Sequence, residues 1–285
     1  MNRQSLITEK LVAWGKRNAE IRSLIVTGSR AVEGKSDEFS DYDIAVFLDD
    51  NTPFTSNDEW IEEVGQPWVC VHEKISWKEE FVPTRLVIFE PGVKIDFAFY
   101  SIKVLKELAS NPLPDEFAAG YHVLLDKDGI ASTMDPPSDN CYKQNPPTQK
   151  EFQRIIEEFW FEVYHVVKYL ARSDLWSVKF RDHGIKQEFL LQMIRWHEQA
   201  KHQWNYSTHS QGKRAQDWVA EETWSRLQVC FARFDPEDCW LALNQTMKLF
   251  RDLSMQMAAL LKFSYPQDLD DNITAFAKQV EKKQF

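Results

Sequence analysis

No apolar stretch in the chain approaches the roughly eighteen residues that a membrane helix requires. At the N-terminus, Arg3, Glu9 and Lys10 interrupt the continuous apolar core that a signal peptide would need. A cytoplasmic protein without membrane contact is expected. Cysteine is scarce as well, with four residues at positions 70, 141, 230 and 239 and no Cys-x-x-Cys spacing. They are too few to staple 285 residues, so they read as reduced and structural, and no zinc site is visible. Positive charge is the third shortage. Lys and Arg number 34 against 44 Asp and Glu, a formal charge of −10, whereas nucleic-acid binding calls for clustered cations that neutralise phosphates. A nucleic-acid partner is therefore not expected. The acidic balance suits a cationic small molecule and serves plain solubility equally well. Internal repeats and low-complexity segments are also missing.

What is present is enough apolar residue, 43% of the chain, for two modest cores. A boundary falls near residues 131–150, where Ser, Thr, Asp, Asn and the pairs Pro136-Pro137 and Pro146-Pro147 break any periodic pattern. We assign residues 1–135 to one domain, 136–150 to a linker and 151–285 to a second domain. Short strand-like runs alternate with helices in the first. In the second, Phe152, Ile155, Ile156, Phe159, Trp160, Val163, Val166, Val167 and Leu170 follow the three-four spacing of an amphipathic helix. Four more helices are expected near 183–203, 215–232, 236–263 and 269–283, with Asp235-Pro236 and Tyr265-Pro266 as starts or breaks. The fold class is thus α/β (α+β) with an all-α C-terminal bundle.

The chemistry concentrates in the first domain. Leu24-Ile25-Val26 is a β-branched run ending at Thr27-Gly28-Ser29, where glycine lets backbone approach a phosphate and Ser29 adds a hydroxyl. Further on, Ser40-Asp41-Tyr42-Asp43 heads the apolar run Ile44 to Leu48. Side chains two apart on a strand share a face, so Asp41 and Asp43 form a pincer of the kind Mg²⁺ uses together with substrate phosphates. Each signal alone is commonplace, since Asp-x-Asp usually marks a solvated strand end. A third acid, Asp96, lies in the strand-like run Lys94 to Tyr100, where a buried carboxylate has to be paired or bound to metal.

This order, Gly-Ser, then Asp-x-Asp on a strand, then a later strand with a third Asp, resembles the nucleotidyltransferase superfamily that includes DNA polymerase beta. Gly28-Ser29-Arg30-Ala31, Asp37-Glu38-Phe39, Asp41-Tyr42-Asp43-Ile44, Phe54 through Trp60, Lys94-Ile95-Asp96 and Leu125 to Asp128 together resemble the aminoglycoside 6-adenylyltransferases, the streptomycin-modifying group. The likeness continues through Glu158-Phe159-Trp160, Lys168 to Arg172, Asp182-His183, Leu190 to Trp196, Gly212-Lys213 and Tyr265-Pro266. It implies a polymerase-beta-like catalytic domain with a mixed sheet, a helical domain that binds part of both substrates, and an active site in the cleft between them. It also implies Mg²⁺ and ATP, with AMP passing to a hydroxyl of an aminoglycoside. Asp41, Asp43 and Asp96 would hold metal, and Asp96 would alternatively act as general base. Gly28, Ser29, Arg30, Ser40 and Lys213 would hold the nucleotide, although the segment His202 to Tyr206 ahead of Lys213 departs from the family's pattern.

For the antibiotic, Asp182, Glu158, Trp160 and Trp176 are candidates, because acids pair with guanidinium or ammonium groups and indole faces attract cations. Trp160 also lies on the apolar stripe of its helix, where packing is the commoner role, and Asp182 would equally serve as a helix N-cap. His197, His202 and His209 read as surface or packing residues, since His197 and His202 lie five apart and so face different sides of a helix. Two other functions stay open: the same transfer to a lincosamide, protein or RNA acceptor, and nucleotide or aminoglycoside binding without transfer. Either a monomer or a homodimer is compatible with the chain.

Overall fold

Ile21–Thr27 (β1) and Tyr42–Leu48 (β2) carry near-continuous apolar runs, and nearly every residue in them is buried. That pattern belongs to strands covered on both faces. They occupy the middle of a six-stranded sheet with Pro67–Trp77 (β3), Glu80–Phe89 (β4), Val93–Ser101 (β5) and His122–Asp126 (β6), in the order β3-β4-β5-β2-β1-β6. The sheet is mixed. β2 and β5 run parallel, and the other neighbouring pairs are antiparallel. The computed structural model describes residues 3–32, 36–138, 145–208 and 210–284, so Cys141 and His209 lie outside the described residues. It divides the chain into two compact units, Met1–Cys141 and Tyr142–Phe285.

In the first unit, helix Arg3–Arg17 (α1) lays Leu11 and Trp14 over one sheet face, joined by Phe54, Trp60 and Ile61 against Ile44, Phe97 and Phe99. Helix Ile102–Leu108 (α2) covers the other face, where Val104, Leu105 and Phe117 meet Ile25, Ala45, Phe47 and Tyr100. Each large apolar side chain so buried contributes roughly 1.5–3 kcal/mol, which fixes the register of β2 against β5.

The second unit is helical. Helix Gln149–Ala171 (α3) opens with a capping box between Thr148 and Glu151 and buries every residue of the predicted apolar stripe. Helices Leu175–Gly184 (α4) and Leu191–Lys201 (α5) are joined without a break by a π-helical segment, Ile185–Leu190. Helix Pro236–Leu261 (α7) is capped by Asp235, which accepts from the Asp238 amide at 2.9 Å. It packs on α3 by stacking Phe250 against Phe159, with ring centres 3.6 Å apart. Gln267–Glu281 (α8) closes the unit. Between α5 and α7, the single helix expected over 215–232 is instead a one-turn helix, Ala215–Trp218, and helix Glu221–Gln228 (α6). Val219 and Ala220 are extended there, with Trp218 and Val219 buried and the Trp218 indole donating to the Lys213 carbonyl at 2.9 Å. Tertiary burial of two apolar residues thus interrupts a helix that local propensity would continue.

Candidate active site

Parallel pairing puts Asp43 of β2 directly beside Asp96 of β5, while Asp43 also faces Thr27 at the end of β1. Asp41 stands just ahead of β2, in phase with Asp43 along the strand direction. Three carboxylates are thereby collected at one end of adjacent strands, where the chain leaves β1 at Gly28. Gly28 has φ of +68°, and a Cβ there would come within 2.2 Å of the Asp43 carboxylate. Only glycine permits that approach.

The cluster contains a cation that the sequence reading did not single out as a functional residue. The Lys94 ammonium donates to Asp41 Oδ2 and to Asp96 Oδ2, each at 2.7 Å. The clue was available, because Lys94 and Asp96 are two apart on β5 and therefore share a face. Burial works against the Lys94 charge, but the two carboxylates outweigh it and hold its pKa above the ordinary value. Asp96 moves the other way for its type: burial, more than the opposing pull of Lys94, pushes its carboxyl up from the usual range. Its second oxygen, Oδ1, is buried with no hydrogen-bond partner.

That orphaned oxygen is an observation a metal ion would explain. The donor set consists of carboxylate oxygens, which suits a hard divalent cation rather than zinc or copper. A cavity of about 430 Å³ beside the cluster is lined by Arg30, Ser40, Asp41 and Lys94 among others. Arg30 is partly committed to structure, donating from Nε to the Ser40 carbonyl at 2.8 Å and lying 4.0 Å over the Tyr42 ring. Ser40 in turn donates its hydroxyl to Asp37 Oδ1 at 3.0 Å. Ser29 is half-buried in the turn that follows β1.

The predicted antibiotic contacts are not brought together. Trp160 is fully buried in the helical core, its indole donating to the Tyr265 hydroxyl at 3.4 Å and the Arg251 guanidinium lying 5.3 Å over its ring. Its ring is wholly enclosed by protein. Asp182 is not a helix N-cap, a role taken in α4 by Asp174; it lies inside α4 and pairs with the buried ammonium of Lys186. Trp176 is 80% exposed. Glu158, with Arg154 at 3.2 Å, lines a cavity of about 630 Å³ together with Glu188, Phe189, Gln192 and Trp196. Lys213 is exposed, following Gly212 at φ of +71°. His197 is a packing residue, 7% exposed and bonded to Gln256 at 2.8 Å, and His202 stacks on Tyr206.

Elsewhere, Asp58, Cys70 and His72 lie close enough to share an ion. Asp58 is already engaged, by the buried Arg85 at 2.8 Å and by His72 at 2.6 Å.

The chain is a nucleotidyltransferase, a class that its mixed sheet and helical second unit fit and that its family match shows. More narrowly, it belongs to the streptomycin adenylyltransferase family, whose model matches residues 1–280. Among known proteins it is similar to the aminoglycoside 6-adenylyltransferase of Campylobacter jejuni, 28% identical over 99% of this chain and 97% of that protein. The enzyme of the same description from Bacillus subtilis strain 168 is 28% identical over 91% of each chain. The crystal structure of an aminoglycoside 6-adenyltransferase from Bacillus subtilis aligns over 99% of both chains at 24% identity with a TM-score of 0.47. No helix among the described residues is long and apolar enough to cross a membrane.

Proposed function

We propose that the chain transfers AMP from ATP to a hydroxyl of an aminoglycoside such as streptomycin, releasing pyrophosphate. The observation that carries this reading is the pairing of Asp43 with Asp96 across the parallel strands, with one buried Asp96 oxygen left without a partner. Asp41, Asp43 and Asp96 hold Mg²⁺. Once bound, the metal supplies charge neutralisation on the phosphates and polarises the α-phosphorus. Gly28 and Ser29 offer backbone and hydroxyl to the nucleotide, with Arg30, Ser40 and the exposed Lys213 assisting. As the alternative to ligating the metal, the Asp96 carboxylate takes the proton that the acceptor hydroxyl releases as its oxygen bonds to the α-phosphorus and the bond to pyrophosphate breaks.

In this reading residues 1–135 are the catalytic domain, 136–150 the linker and 151–285 the substrate-binding helices. The cavity lined by Glu158 and Glu188 offers carboxylates to a cationic acceptor, and the net charge of −10 favours the approach of such a molecule. Pyrophosphate release with ATP and Mg²⁺, measured across an aminoglycoside panel led by streptomycin, tests the proposal. Streptomycin-dependent release is expected, falling by about three orders of magnitude in Asp43→Asn. Folded protein that binds Mg-ATP and releases nothing with any aminoglycoside would contradict it.

A further inference from the structure

The Lys94 ammonium bridges Asp41 and Asp96 at 2.7 Å on each side, so it lies among the same oxygens that the metal reading assigns to Mg²⁺. Its side chain is 35% exposed, and those of Asp41 and Asp96 are 41% and 23% exposed. A lysine at a surface ion pair needs one acid, and this one spans two, Asp96 on its own strand and Asp41 in the segment that leads into β2. Asp43 lies beside Asp96 in register, and Lys94 is the cation seated between Asp41 and Asp96. Without Lys94, like charges would confront one another in a partly desolvated place, an arrangement that costs more there than in open water.

We propose that Lys94 is a resident counter-ion of the carboxylate cluster: it neutralises Asp41 and Asp96 until the metal enters, and must be displaced from them for the metal to bind. The inference rests on the metal reading given above. Two consequences distinguish it from a merely structural ion pair. Metal-free protein is held together partly by Lys94, and affinity for a divalent cation is held down by it, because each cation competes for the same oxygens. Lys94 also lines the cavity that holds Arg30. Its flexible four-carbon stem lets the freed ammonium turn into that cavity without leaving the site.

The test compares wild-type protein with Lys94→Met and Lys94→Arg, using Mn²⁺ as the probe. Free Mn²⁺ is counted by electron paramagnetic resonance without nucleotide, and thermal unfolding is followed in EDTA. Lys94→Met is expected to bind Mn²⁺ about tenfold more tightly than wild type and to unfold about 2–4 °C lower in EDTA. Lys94→Arg, which keeps the charge, should return both values toward wild type. If wild type binds Mn²⁺ and Lys94→Met binds it with equal or lower affinity, the counter-ion role is overturned while the metal site stands. If wild type takes up no Mn²⁺, the metal reading itself falls, and the role of Lys94 with it.

Discussion

Gly28 and Asp43 approach so closely that no other residue fits the first position. The backbone there is left-handed, and the Asp43 carboxylate fills the space a Cβ would need. Gly28→Ala should therefore displace the carboxylate rather than unfold the domain. Activity is expected to fall about a hundredfold, the cost of misplacing a reacting group by about an ångström, with far-ultraviolet circular dichroism unchanged. Asp182 calls for a different experiment. Its partner Lys186 is 4% exposed, and burial, against the opposing pull of Asp182, lowers the Lys186 pKa from 10.5. Asp182→Asn leaves that ammonium uncompensated and should cost about 3 kcal/mol in urea denaturation at pH 7. The sign with pH follows from linkage. Below its lowered folded pKa Lys186 is charged in both states and the cost is full. Between that value and 10.5 the folded protein releases the proton before the unfolded chain does, so stability recovers as pH rises. Loss of streptomycin affinity in Asp182→Asn with unchanged stability would return Asp182 to the substrate site.

Among the elements, α7 and α8 are tied by a buried acid. Asp270 is fully buried and accepts from the Arg251 guanidinium, from the Tyr265 hydroxyl at 2.8 Å and from Thr274 at 2.9 Å. The Tyr265-Pro266 motif is thereby explained as structure: Tyr265 reaches Asp270 and the Trp160 indole, while Pro266 precedes α8. Asp270→Ala strands Arg251 and should destabilise the protein by about 3–5 kcal/mol, read by tryptophan fluorescence in urea. A loss below about 1 kcal/mol would show that the helices do not depend on it. At this scale the strands bearing Asp41, Asp43 and Asp96 were legible because apolar runs with one acid at a fixed phase leave few alternatives. The stripe of α3 was legible for the same kind of reason. The break at Val219 was not, since neither glycine nor proline marks it. The partner of Asp182 was within reach of the sequence, since Lys186 lies at i+4 on the same helical stretch; its burial was not, because lysine ordinarily reads as solvated. Lys94 was hidden in another way: a lysine in a strand ordinarily reads as solvated, and its second acid, Asp41, is 53 residues away in the segment ahead of β2.

For the whole molecule, the sequence and the structure support the same assignment through different features. Composition argued against a nucleic-acid footprint, ordered motifs pointed to the family, and the family model covers residues 1–280. What the fold adds is the convergence of Asp96 on β5 and Asp41 ahead of β2 on one lysine, an arrangement that the order of residues suggests but cannot build. The acceptor is argued from charge and from an acidic cavity in the second unit. Under the proposed function, substitution of Glu158 or Glu188, which line that cavity, is expected to alter acceptor choice. The most direct measurement is mass spectrometry of streptomycin after incubation with the protein, ATP and Mg²⁺, with EDTA-treated and Asp43→Asn samples as blanks. The account predicts one added AMP, absent from both blanks. An unmodified antibiotic, a gain of phosphate alone, or AMP transfer that persists in EDTA or in Asp43→Asn would contradict it.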